Sequence, residues 1–152
     1  IQYMNVTITP PADVQALSLT SGWSIFSTYI VPFEASMDSV FSPIVSDVVL
    51  VKNGNGTVYW PQYNLNAIGN FTIGEGYQLN LTSAQTLDVT GTAVVPENEV
   101  LNIQSGWSII GYLRQSPADI SILFAAVSSD IIIIKNVQNN FITTTHCNCD
   151  PG

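Results

Sequence analysis

The chain repeats itself, and the repeat constrains most of what it can fold into. Leu17–Ile25 (Leu-Ser-Leu-Thr-Ser-Gly-Trp-Ser-Ile) returns as Leu101–Ile109 (Leu-Asn-Ile-Gln-Ser-Gly-Trp-Ser-Ile), 84 residues on. Val40–Asn53 returns as Leu123–Asn136, 83 residues on, keeping Ser-Asp, four apolar residues and Lys-Asn in order. A single deletion between the blocks accounts for the difference. Such self-similarity is the mark of one supersecondary unit used more than once. The first copy runs from Leu17 to about Val95, whereas nothing after Asn136 matches Gln62–Val94. Asn5–Asp13 leads into the first copy much as Asp88–Glu97 leads into the second. The phasing predicts an N-terminal strand segment, 1–16, that is the tail of a preceding unit or a donor strand. A complete first repeat at 17–98, a truncated second repeat at 99–145 and a cysteine-containing tail at 146–152 follow. A copy without its tail exposes apolar sheet surface, so a swapped or N-terminal strand is expected to complete it.

Within the first copy the local patterns read as strands. Val14–Leu19 and Ser24–Ile30 flank a Ser21-Gly22 turn, and Val48–Lys52 and Thr57–Trp60 flank Asn53-Gly54-Asn55-Gly56. Asn and Gly tolerate the positive φ of tight hairpin turns. Tyr77–Thr82 alternates apolar and polar residues and is expected to pair with Thr86–Thr92 as a hairpin. A short helix is expected in each copy. Ile120, Leu123, Phe124 and Val127 share one helical face behind a capping Ser116 and Pro117, and Met37, Val40, Phe41 and Ile44 repeat the spacing. Pro43 should shorten or distort the first helix. The fold class expected is mainly β: two related β-sandwich or barrel-like lobes, each with one short helix, the second incomplete.

Composition narrows the setting. Apolar residues are 46% of the 152, enough for a core, but charged residues are only 9%, so Ser, Thr, Asn and Gln must cover the surface. That balance suits secreted adhesins and fibres and is the reverse of a disordered chain. The net charge is −8 and the basic side chains are Lys52, Arg114 and Lys135. These make no basic patch, which argues against nucleic-acid binding and against docking on an anionic membrane. The apolar runs Val48–Val51 and Ile131–Ile134 are far shorter than the roughly 20 residues of a transmembrane helix. A chain beginning at Ile1 without a visible signal peptide is expected to be a processed mature protein or a fragment.

Taken as a set, Ser-Gly-Trp-Ser-Ile, Val40-Phe-Ser-Pro-Ile44, Val51–Tyr63, Ala67–Phe71 and Gly74–Gln78 resemble the GWN-type tandem repeats of large secreted proteins of Bacteroidetes, with similar units in surface-layer-like and phage-fibre-like proteins. The resemblance covers Leu17–Asn136. It implies an extracellular spacer, adhesive or assembly role and carries no catalytic chemistry. The second copy departs from it by lacking the Tyr-Trp-Pro-Gln-Tyr and Gly-x-Gly-Tyr segments.

Candidate sites follow. The N-terminal segment, with Ile1, Tyr3, Asn5, Val6, Thr7, Ile8 and Thr9, is the expected strand-exchange interface, since an added strand binds through main-chain hydrogen bonds. Tyr59, Trp60, Tyr63 and Phe71 form the densest aromatic stretch, expected in the core or at a surface or packing interface against a neighbouring unit, with stacking on a glycan as the alternative. Trp23 and Trp107 are repeat equivalents and are expected to be core anchors, with sugar stacking as the alternative. Asn5, Asn55, Asn70 and Asn80 head Asn-x-Ser/Thr sequons, and Ser39 lies in an Asp-Ser-Val resembling the O-glycosylation signal of Bacteroidetes. Cys147 and Cys149, beside His146, are candidates for intermolecular crosslinks, with a plain tail or a soft-metal site as alternatives.

No enzyme is expected: there is one histidine, no Gly-x-Ser-x-Gly, no phosphate loop and no placed carboxylate pair. No metal or cofactor is expected. The leading expectation is a structural subunit of an extracellular fibre or surface assembly, polymerising head to tail through β-strand complementation. The alternatives are a carbohydrate-binding or adhesion module of a secreted multidomain protein, binding glycans or cell-surface components, and a phage tail-fibre segment.

Overall fold

Alternation of apolar and polar side chains becomes strand after strand in the first copy. The structure, a computed structural model, describes residues 11–136 and 141–143. It divides into two units, Ile1–Leu113 and Arg114–Gly152. The first unit runs β1 (Asp13–Leu19), β2 (Gly22–Phe26), β3 (Ile30–Pro32), α1 (Met37–Phe41), β4 (Val48–Lys52), β5 (Val58–Trp60), β6 (Leu65–Asn66), β7 (Tyr77–Leu81) and β8 (Gln85–Ala93). All pairings are antiparallel. One sheet has the order β2-β7-β4-β5-β6 and the other β1-β8-β3. Neither closes into a barrel.

The expected Tyr77–Thr92 hairpin and the Ser21-Gly22 turn are instead corners. β1 pairs with β8 and β2 with β7, so the strands flanking Ser21-Gly22 lie in different sheets, and so do β7 and β8. Residues 13–26 and 77–93 are in effect one long two-stranded ribbon that bends at Thr20-Ser21 and at Thr82–Ala84 to pass from sheet to sheet. Gly22 takes φ +77 at the first bend, a conformation costly for a side chain with a Cβ. At the second, the Asp47 carboxylate accepts from Thr82 Oγ1 (2.8 Å), Ser83 Oγ (2.7 Å) and Gln85 Nε2 (2.9 Å). Local alternation was correctly strand-like; bending rather than pairing wins because both halves then bury their apolar side chains in one core. The Asn53–Gly56 turn does form a hairpin, joining β4 and β5, with the Asn53 side chain accepting from the Asn55 and Thr57 amides.

The core lies on the inner faces of both sheets. Leu79 and Leu81 of β7, Val51 of β4, Leu87 and Val89 of β8 and Ile30 of β3 are buried together with Met37, Phe41 and Ile44. Full burial of such side chains stabilises by about 1.5–3 kcal/mol each before entropy is counted. Phe41 meets Phe26 edge-on at 5.7 Å and stacks on Tyr59 at 5.9 Å, while Phe71 lies 4.8 Å from Tyr77. Burial pushes the Tyr77 hydroxyl up to about 12; it accepts from the Thr72 amide and donates to Glu75. The helix tightens at Pro43 into a 3-10 turn, Ser42–Asp47. Pro32 sits on β3, at a sheet edge where its missing N–H costs no ladder bond.

In the second unit, α2 spans Ile120–Leu123, followed by a 3-10 turn, Ala125–Val127, and the hairpin β9 (Ile133–Lys135) and β10 (Phe141–Thr143). The helix cap is Asp119, whose carboxylate accepts from the Ser121 amide at 2.8 Å, rather than Ser116. An acid one residue before the first turn answers its unpaired N–H groups better than a serine four residues out. The β9–β10 register reproduces β4–β5: Lys52 faces Val58 and Val51 faces Tyr59; Lys135 faces Phe141 and Ile134 faces Ile142, each 83 positions on. The repeat therefore extends to backbone pairing. Positions buried in the first copy are more open in the second: Ile44 is core, whereas its equivalent Val127 is 39% exposed. The start of the second copy takes a different partner as well. Where Ile25 pairs with β7, the equivalent Ile109 accepts from the Gly76 amide, and Gly111 donates to Gly74.

Candidate functional site

Strand register gathers an exposed aromatic face on the outer side of the five-stranded sheet. Trp23 on β2 faces Asn80 on β7, and Asn80 faces Leu50 on β4. Continuing the β4–β5 register by one residue brings Leu50 opposite Trp60, which pairs with Leu65 on β6. One transverse row thus reads Trp23, Asn80, Leu50, Trp60, Leu65. Beside it runs a second row, Ile25, Gln78, Lys52, Val58. Trp23 and Trp60 stand three strands apart, roughly 14 Å.

Each side chain has a local reason to be there. In β2 the inward positions are Ser24 and Phe26, so period-2 alternation sends Trp23 and Ile25 outward. Tyr77, Leu79 and Leu81 go inward on β7 and leave Gln78 and Asn80 outside. Pro61 starts a 3-10 turn, Pro61–Tyr63, and Asn64 takes the left-handed conformation, φ 51, which returns the chain into β6. That turn stands Tyr63 against Trp60, edge to face, with ring centroids 4.6 Å apart.

The expected core anchors are therefore surface residues. Trp23 is 59% exposed and Trp107 76%. Both follow Ser-Gly, and the alternation that buries Phe26 excludes Trp23. The aromatic stretch divides. Trp60 and Tyr63 (64% exposed) are at the surface, whereas Tyr59 and Phe71 are buried. Tyr59 is inward because it lies between Val58 and Trp60 on the opposite face of β5, and burial, with Asp38 nearby, raises its hydroxyl pKa. Phe71 packs on Tyr77 and Phe26.

Of the sequon residues, Asn55 is exposed in the β4–β5 turn and Asn70 is exposed beside Ser36. Asn80 lies in the middle of the aromatic row, half-buried, and the Thr82 hydroxyl of its sequon is engaged by Asp47. A glycan attached there would cover the face. Ser39 is exposed on α1. The strand-exchange segment Ile1–Thr9, with Asn5, and His146, Cys147 and Cys149 lie outside the described residues. Among the described residues no group of three or more His, Cys, Asp or Glu side chains is placed to hold a metal ion, and no helix is long and apolar enough to cross a membrane.

Sequence reasoning singled out Trp60 and Tyr63 but not the site they belong to. Gln78, Asn80 and Lys52 join it only through strand order, although the alternation in Tyr77–Leu81 already marked the two amides as outward. Chemically, the face offers flat apolar rings flanking amides that both donate and accept hydrogen bonds, with one ammonium. Comparison with protein-family models, curated proteins and solved structures gave no match.

Proposed function

We propose that this chain is a carbohydrate-binding adhesion module of an extracellular surface protein, with the outer face of the five-stranded sheet as its contact surface. The observation that carries the reading is the row Trp23, Asn80, Leu50, Trp60, Leu65, in which two exposed indoles flank an amide. Exposed tryptophan leaves apolar surface in water, at roughly 25 cal/mol for each Å², so a fold gains nothing by keeping one there. The repeat keeps it nonetheless: Trp23 and Ile25 recur as Trp107 and Ile109, Leu50 and Lys52 as Ile133 and Lys135. Sugar rings present C–H faces that lie on indole and hydroxyls that pair with amides. The charge-poor, Thr/Asn/Ser-rich composition and the likeness to GWN-type repeats of secreted Bacteroidetes proteins accord with an extracellular setting. A glycan array probed with the whole chain tests the reading. Binding that disappears in Trp60→Ala, with the circular dichroism spectrum unchanged, supports it; no binding to any glycan overturns it.

A second reading, a fibre or surface-assembly subunit that takes up strands from a neighbouring copy, is favoured by the openness of the second copy. Residues 77–93 supply a strand to each sheet of the first unit, and Val127, the equivalent of the core residue Ile44, is exposed, as is Leu123, the equivalent of Val40 that packs against that core. A strand pair seated as β7 and β8 are would cover them. Sedimentation across a concentration series tests this: growth of head-to-tail oligomers supports it, and a monomer at every concentration sinks it.

A further inference from the structure

The single charge on the aromatic face points to the class of glycan. Of the nine outward positions in the two rows, only Lys52 is ionised; none is Asp or Glu, in a chain with eleven acids and three basic residues. Among the described residues no carboxylate pairs with Lys52. Lysines on sheets often guard an exposed edge against a further strand, but β4 is interior, hydrogen-bonded to β7 on one side and β5 on the other. Lys52 therefore protects no edge. Its stem passes over the β4–β5 turn, where Cε comes 3.8 Å from the place a Cβ on Gly56 would take. In the backbone register Lys52 pairs with Val58, in the row next to that of Leu50 and Trp60. The position is occupied again by Lys135, facing Phe141. Two of the three basic residues of the chain thus stand at one register position of the two hairpins.

Resting on the carbohydrate reading above, we propose that the preferred ligand is an acidic polysaccharide, whose ring carboxylate pairs with the Lys52 ammonium. Its sugar rings lie on Trp60 and Trp23, and its hydroxyls meet Asn80 and Gln78. A cation among apolar and amide groups, in a chain otherwise strongly negative, is the complement of a polyol bearing isolated negative charges. It is too little charge to hold a densely charged polyanion such as nucleic acid, whose binding scales with the number of cations engaged.

The test compares a polygalacturonate whose carboxylates are mostly methyl-esterified, leaving isolated charges, with its fully methyl-esterified form, the same backbone with those charges removed, by titration calorimetry on the whole chain. The expected result is tighter binding of the charged polymer, weakening as salt is added. Lys52→Gln should lower that affinity about tenfold or more, the worth of one charge-assisted hydrogen bond, while leaving the esterified polymer bound as before. Trp60→Ala should weaken both. Equal binding of the two polymers, or no change in Lys52→Gln, overturns the acidic preference and leaves the carbohydrate reading standing. A preference that persists in Lys52→Gln but is lost in Lys135→Gln places the charge in the second hairpin and also overturns it. Binding to neither polymer overturns the inference, and the array decides whether the broader reading falls with it.

Discussion

The Asp47 carboxylate accepts the Ser83 hydroxyl at 2.7 Å, tying the residue before β4 to the corner between β7 and β8. The same oxygen takes Thr82 Oγ1 and the other takes Gln85 Nε2. Hydrogen bonds from Ser83 and then Thr82 favour the charged form and hold the Asp47 pKa below its ordinary 3.8. A carboxylate depressed in the folded state adds stability that is present above its unfolded value and lost as pH falls through the folded one. Thermal melts of Asp47→Asn should therefore fall less than the wild type between neutral pH and pH below 3.8, the two curves converging at the acid end. Parallel curves across that window would contradict the assignment.

Strand β2 should respond in opposite ways on its two faces. Phe26 is buried against Phe41 and Tyr77, and Phe26→Ala should cost about 3–5 kcal/mol in denaturant unfolding. Trp23 is on the open face, and Trp23→Ala should stay within about 0.5 kcal/mol of the wild type. A large loss at Trp23 would return it to a structural role.

Gly91 fills a space with no room for a side chain. A Cβ there would stand 1.9 Å from the Val31 carbonyl oxygen, where β3 closes on β8. Gly91→Ala should destabilise by about 1–3 kcal/mol through forced separation of the strands. Unchanged stability would show that β3 is free to retreat.

Repeat equivalents should differ in cost. Phe41 is fully buried between Phe26 and Tyr59, while Phe124, 83 residues on, is only partly buried. Phe41→Ala is expected to lose about 3–5 kcal/mol, and Phe124→Ala well under half of that. Equal losses would mean that the second copy closes its core in solution.

Much of this was legible because alternation and repetition act locally. Tyr77–Leu81 reads as a half-buried strand and is one; Pro43 should shorten or distort a helix, and the helix tightens there into a 3-10 turn; the Asn53–Gly56 turn makes the hairpin it suggests. The aromatic face was not legible, because it is assembled by strand order. Trp23 meets Asn80 only since residues 13–26 fold back along 77–93, and no local pattern distinguishes that from two separate hairpins. Trp23 itself misled because its repetition reads equally as shared packing or as shared surface. Period-2 counting from the buried Phe26 would have put it outside, had the inward face been known.

The bent ribbon also sets a timetable for synthesis. Leu19 finds its partner in Gln85 and Asp13 in Gly91, so β1 and β2 are made long before anything can pair with them. Until Tyr77–Ala93 arrives, the growing chain carries bare strand edges, the kind of template on which misfolded chains aggregate. The late segment then joins both sheets at once. A polypeptide halted before Tyr77 can pair only the β4–β5–β6 meander, with β1, β2 and β3 left without partners.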